Sequence, residues 1–294
     1  MNQTEQTGDA YVARDPQRCK ICGHRELAVT AHTARCGNCG VLLYYPYPAA
    51  SLPCFTSEQE AIEWYAPSAA YNHVNFTRML RYATDGQPMT APLAILDYGG
   101  GGGQFALVCK SLFPRSTVYL VDINDNSALK EWAPFSRRLA FAEFPADPTR
   151  FDFIFLNDVF EHMDDPISAL RLLAGKLNDG GRIFIDTPRQ FWIYPLTRLL
   201  SRRLHLKLLK GTVSHMHLQI WSKRAFGIAT ARAGLRAIKM GYWAEFTMPC
   251  DYYLKNMGIT SPALRVAGHA MYAAARFILR NKIACVLAIS SGSE

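Results

Sequence analysis

Four cysteines fall into two pairs, Cys19-Lys-Ile-Cys22 and Cys36-Gly-Asn-Cys39, separated by the thirteen residues Gly23 to Arg35. The turn after the first cysteine of each pair points both thiolates at one tetrahedral ion. The glycine that follows each pair, Gly23 or Gly40, permits the left-handed residue that closes the knuckle. The spacing predicts a structural zinc ribbon held by Cys19, Cys22, Cys36 and Cys39, with a short hairpin between the pairs and no open position for chemistry. His24 and His32 read as surface residues, since four thiolates already fill the site. The ribbon carries only Lys20, Arg25 and Arg35 as basic residues, which argues against nucleic acid as its ligand.

A second chemical signal is the stretch LAILDYGGGGGQF, Leu93 to Phe105. Five consecutive glycines persist where the backbone must take positive φ or let a ligand approach closely. The spacing is D-x-G-x-G-x-G, Asp97 to Gly103, rather than G-x-G-x-x-G, and no Gly-Lys-Ser/Thr ends it. That pattern fits S-adenosylmethionine better than a dinucleotide or a phosphate. Asp97 is placed to anchor the loop or to meet an ammonium or amino-acid group. Asp122 ends the next strand 25 residues on, where it can accept from both ribose hydroxyls or cap a following helix. Glu143, after a third strand, is placed to reach an adenine amino group.

A third group is Asn157-Asp158-Val-Phe-Glu161-His162. His162 follows an apolar strand, and an imidazole in general titrates near neutral pH, so it is the first choice for general base, oriented by Glu161 or Asp158. The alternative is a structural role for Glu161 and His162 in the strand-to-helix turn. His215 and His217 alternate in Ser214-His-Met-His and so face one way on an extended segment. Metal ligation by that pair is disfavoured, because no acidic third ligand is near in sequence.

The elements that must position these groups alternate. Strands are predicted at 93–97, 117–122, 138–141, 151–156 and 182–186, and helices follow the glycine loop and span 167–177. A Gly180-Gly181 turn separates that helix from the fifth strand. A helix at 222–233 stops at Gly234, strand six spans 235–241, one or two helices span 260–281, and 283–290 suits an antiparallel seventh strand. Before the core come a strand at 41–48, a helix capped by Ser57, an aromatic stretch 65–71 suited to a substrate lid, and a helix at 72–84. The order specifies parallel βαβ units with right-handed crossovers.

Together, D-x-G-x-G-x-G at 97–103, the acid at 122, NDVFEHMDDP at 157–166, the Gly-Gly turn at 180 and DTPR at 186–189 resemble class I S-adenosylmethionine-dependent methyltransferases. The ubiquinone-type O-methyltransferase branch is the nearest likeness, in the subset carrying a leading four-cysteine zinc ribbon; its usual TPN is TPR here. The resemblance implies a Rossmann-like α/β fold with a seven-stranded sheet and helices on both faces. It also implies cofactor contacts by Asp97, Gly99, Gly101, Gly103, Asp122, Ile123, Glu143 and Asn157, and acceptor-side roles for Asp158, Glu161, His162 and His217. The expected organisation is a zinc ribbon at 1–50, linker and lead-in helices at 51–92, and the methyltransferase domain at 93–294.

The chain of 294 residues has a net charge of +8, which suits an anionic partner. Basic residues Arg198, Arg202, Arg203, Lys207 and Lys210 lie among leucines in an insert at 190–213, which suits a lid helix or, through 196–210, a peripheral membrane contact. No secretory signal or spanning segment is apparent, and the paired cysteines suit a reducing cytoplasm. The expected activity is O-methylation of a small-molecule or sugar- or glycolipid-type acceptor. The alternatives are C- or N-methylation on the same fold, and a non-catalytic zinc-ribbon protein that binds nucleic acid.

Overall fold

The structure is a computed structural model describing residues 11–12, 18–29, 33–44, 47–48, 57–85, 87–124, 129–189 and 217–290. The insert at 190–213 and His215 lie outside these residues.

The N-terminal part contributes short strands β1 (Tyr11–Val12), β2 (Leu27–Val29), β3 (Thr33–Cys36), β4 (Leu42–Tyr44) and β5 (Tyr47–Pro48). The run 41–48, expected as one strand, is two: β4 pairs with β3, and β5 pairs with β1. Helix α1 (Glu58–Tyr65) starts where the Ser57 side chain accepts from the Glu60 N–H at 3.3 Å, and α2 (Ala69–Ala83) follows.

The core strands are β6 (Ala94–Tyr98), β7 (Thr117–Val121), β8 (Arg137–Arg138), β9 (Phe151–Asn157), β10 (Leu177–Pro188), β12 (Leu235–Trp243) and β13 (Lys282–Ile289). They form one sheet in the order β12-β13-β10-β9-β6-β7-β8. Pairing is parallel from β10 to β8, and β13 runs antiparallel to both β10 and β12. The seven-stranded Rossmann-like sheet is therefore as expected, with two local differences. Strand three is only Arg137–Arg138, and the chain turns soon after it. Strand five begins at Leu177, because Gly180 at φ 75° absorbs a register shift between Leu177 and Arg182 without ending the strand.

Alternation sorts the core. Phe153 and Phe155 of β9 face α2 and α3 (Gln104–Leu112), whereas Ile154 and Leu156 face α4 (Pro166–Gly175) and α5 (Lys223–Arg232). Two further helices, α6 (Cys250–Asn256) and α7 (Pro262–Ile278), precede β13. A two-residue strand, β11 (Gln219–Ile220), leaves the core to pair with β4 of the ribbon.

Candidate active site

Sheet register brings the carboxyl ends of β6, β7, β9 and β10 to one edge, with Asp186 opposite Asn157 and Asp97 opposite Phe155. Gly99, Gly101 and Gly103 take φ of 79°, 50° and 87°, a region open to glycine at no steric cost. Space is as restrictive as conformation. A Cβ at Gly99 would stand 2.4 Å from Val159 Cγ2, and one at Gly101 would stand 2.4 Å from the Tyr65 hydroxyl. Tyr65, at the end of α1, thus lies over the glycine loop. The sequence indicates only an aromatic-rich stretch there.

Asp97 is 3 % exposed, and its Oδ2 has no hydrogen-bond partner among the described residues. Burial, then the neighbouring Asp122 charge, pushes its carboxyl up to about 8. An orphaned buried carboxylate beneath a glycine loop fits a cationic ammonium, which S-adenosylmethionine carries. Asp122 accepts from the Gly101 N–H at 2.8 Å and the Asn124 N–H at 2.8 Å, tying two loops together at the end of β7. Ile123 beside it is 56 % exposed, apolar surface suited to a flat base. Asn157 ends β9 with its Oδ1 unpartnered among the described residues. Glu143 stands exposed in the turn after β8.

Two outcomes follow. Because the Asp97 carboxyl holds its proton longer folded than unfolded, stability falls as pH rises between about 4 and about 8, by up to about 1.4 kcal/mol per unit, and levels off above. Asp97→Asn removes that slope, so its melting temperature should rise relative to wild type from pH 4 to 8 while its affinity for S-adenosylhomocysteine falls. Asp122→Ala should weaken that affinity by about 1–3 kcal/mol in calorimetry; unchanged binding removes Asp122 from the ribose contact.

Just past the end of β9, the short 3-10 turn Phe160–His162 buries Glu161 to 1 % exposure. Its Oε2 accepts from the Thr187 hydroxyl at 2.9 Å. Its Oε1 lies 3.9 Å from His162 Nε2 and 3.7 Å from His217 Nε2, and the two imidazoles meet edge to face with centroids 4.8 Å apart. The Leu218 N–H donates to the Glu161 carbonyl at 2.8 Å, and Gln219 Nε2 donates to the Phe160 carbonyl at 2.9 Å. Strand β11 therefore carries His217 to this turn. The acid missing beside His217 in the sequence is supplied by Glu161: donor atoms of Glu161, His162 and His217 lie within 4.8 Å of one another, a set able to share a proton or hold a metal. Burial first, then Asp158, raises the Glu161 carboxyl well above its ordinary range.

Asp158 takes φ 52°, the one left-handed non-glycine among the described residues. Its carboxylate pairs with the buried Lys282 ammonium, which also lies 2.7 Å from Asp186 Oδ1 and 3.3 Å from Glu245 Oε1. Trp243 Nε1 donates to Asp186 at 2.7 Å, and Arg78 meets Glu245 at 3.0 Å. Burial opposes charge on Lys282, but Asp158, Asp186 and Glu245 outweigh it and raise its proton affinity. Nothing in the sequence marks this cluster: Lys282 reads there as one more basic residue before an apolar strand.

The ribbon sulfurs stand 3.6 Å apart for Cys19–Cys39 and 3.5 Å for Cys22–Cys36, and all four lie within 4.8 Å of one another. Zn–S bonds of about 2.3 Å require edges of about 3.8 Å in a tetrahedron, so the four thiolates fit Zn²⁺. Gly23 and Gly40 close the knuckles at φ 75° and 74°. The ribbon is fastened to the sheet domain: Ser222 Oγ donates to the Cys39 carbonyl at 2.5 Å, and Arg232 donates to the Ile21 carbonyl at 2.6 Å.

Sheet order, glycine loop and strand-end acids define a class I methyltransferase. A family model described as a methyltransferase domain matches residues 71–240, and the chain belongs to that family. Methyltransferase str2 of Strobilurus tenacellus is 26% identical over 129 residues, 43% of this chain and 46% of that protein, so the match spans under half of the relative. Among solved structures, a chain of the Haloferax volcanii complex between the Trm112 methyltransferase activator and a methyltransferase superposes with a TM-score of 0.51. It is 14% identical, covering 78% of this chain and 97% of that one. The plantazolicin methyltransferase BamL, solved with a triazolic desmethylPZN analog and SAH, has a TM-score of 0.50 and 13% identity, covering 79% and 89%.

Proposed function

We propose that this enzyme methylates a hydroxyl oxygen of a small-molecule or sugar- or glycolipid-type acceptor in a cytoplasmic biosynthetic pathway, in the manner of the ubiquinone-type branch. Placement of Glu161 between His162 and His217, at the edge that also carries the glycine loop, is the observation that supports this most directly. S-adenosylmethionine, when bound, supplies the electrophilic methyl group, held by Asp97, the glycine loop and Asp122. A hydroxyl must lose its proton as it attacks, and a buried acid–imidazole group can take it. His162, with 16% of its side chain exposed against 8% for His217, is the group nearer the acceptor and acts as base. Glu161, with Oε1 3.9 Å from His162 Nε2, is the acid that can offset the positive charge developing on that imidazole. Water exclusion follows from the burial of this edge. The ribbon holds a structural Zn²⁺ through Cys19, Cys22, Cys36 and Cys39.

His162→Ala should lower kcat by about 10²- to 10⁴-fold, and His217→Ala by less, both with unchanged affinity for S-adenosylhomocysteine. The test is turnover with methyl-labelled S-adenosylmethionine over a panel of phenolic, sugar and lipid-linked acceptors, with NMR of the product. A methoxy product supports the reading. A C-methyl or N-methyl product, or full activity in both variants, overturns it.

A further inference from the structure

We propose that α7 docks this protein onto an anionic phospholipid bilayer, lying in the plane of the headgroups. At 100° per residue, the side of α7 that turns away from the protein carries Leu264, Val266, Met271, Phe277 and Ile278, with only alanines between them. These five side chains are 59, 72, 73, 81 and 74 % exposed. Exposed large apolar side chains along one side of a 17-residue helix form a contiguous apolar patch, the kind of surface that marks an interaction site. The opposite side is the one packed on the protein: Gly268 lies against Leu254, and the Tyr272 hydroxyl donates to the Met248 carbonyl at 2.7 Å.

Charge chooses the occupant. Residues 252–293 contain no aspartate or glutamate, yet they hold Lys255, Arg265, Arg276, Arg280 and Lys282. Lys282 is buried among carboxylates, Arg265 is paired with Asp251 at 2.6 Å, and Arg276 lies on the protein-facing side, 5.8 Å from the centre of the Tyr71 ring; Arg280, exposed just past the end of the apolar face, and Lys255 on α6 are the remaining positive charges of this region, with no acid to offset them. A second copy seated on this face would bring the two Arg280 side chains to one surface with no acid on the helix to offset them. An anionic lipid surface complements both the apolar arc and its basic margin. The helix is amphipathic rather than apolar throughout, and no described helix is long and apolar enough to cross a membrane. Three residues separate its end from Lys282, so the docked face adjoins the carboxyl edge of the sheet.

Flotation of the full chain with phosphatidylcholine vesicles, alone or with phosphatidylglycerol as about a third of the lipid, tests this. Binding is expected to the anionic vesicles and to weaken as salt rises. The variant Phe277→Ser/Ile278→Ser should bind them at least tenfold more weakly while keeping its melting temperature and its affinity for S-adenosylhomocysteine. The indole of Phe277→Trp should be quenched by lipids brominated in the acyl chain. Wild-type binding by the serine variant overturns the proposal, as does flotation with neither vesicle. A wild-type dimer that the serine variant converts to monomer, with the indole unquenched, overturns it in favour of self-association.

Discussion

Lys282→Met should destabilise the protein by about 3–5 kcal/mol, because removing the cation of a buried ion cluster leaves carboxylates without a counter-charge. The site is severe by that measure. Lys282 is 5 % exposed, Asp186 0 % and Glu245 3 %, so water cannot replace the lost ammonium, and Arg78 reaches only Glu245. Burial first, then Asp186, pushes the Glu245 carboxyl up to about 8, and burial also raises Asp186. Without Lys282 both would take up protons more readily still. The loss should therefore be largest at pH 8 and shrink toward pH 5, where protonation removes the repulsion. Urea unfolding at the two pH values measures this, as a lower midpoint with an unchanged m-value. Activity should fall beyond the loss of folded protein, since Lys282 also holds Asp158 in its left-handed conformation next to Glu161. A destabilisation below about 1 kcal/mol that is the same at both pH values would mean that the cluster is hydrated and does not anchor the edge.

Removing zinc should unfold more than the ribbon. The free energy with which a four-thiolate site binds Zn²⁺ is folding free energy, on the order of 10 kcal/mol, comparable to the whole stability of a domain. Here that energy is not confined to residues 18–44. Cys19, Ile21, Val41 and Leu43 share one apolar cluster with Trp221, Phe226 and the helices behind the sheet, and β11 completes the ribbon's sheet while delivering His217 to Glu161. Chelation, or Cys36→Ser, should lower the melting temperature of the whole chain in one transition and abolish turnover. Metal analysis should return one zinc per chain before treatment. An unchanged melting transition of the catalytic part after chelation would show the ribbon to be an independent module.

Much of the fold was legible because its signals are local. Apolar runs such as Phe151–Leu156 bounded by acids, a five-glycine turn, and proline or serine at helix starts specify strand and helix through nearest neighbours alone. The two Cys-x2-Cys pairs were equally readable, since the knuckle is a local turn. Misreadings fell where local rules compete. Gly180-Gly181 reads as a break, but the sheet tolerates a bulge there. The stretch 138–141 reads as a third strand, yet only Arg137 and Arg138 pair.

By itself, the sequence determined the glycine loop, the acids at the ends of β6 and β7, the four thiolates and the alternation that makes a parallel sheet. Which side chains meet across the edge was decided by tertiary structure alone. Glu161 faces His217 only because β11 crosses to the ribbon, and Lys282 finds Asp158, Asp186 and Glu245 only because β13 inserts antiparallel beside β10. Such encounters depend on register between strands far apart in the chain, and register is fixed by packing the whole core rather than by any pattern within one segment.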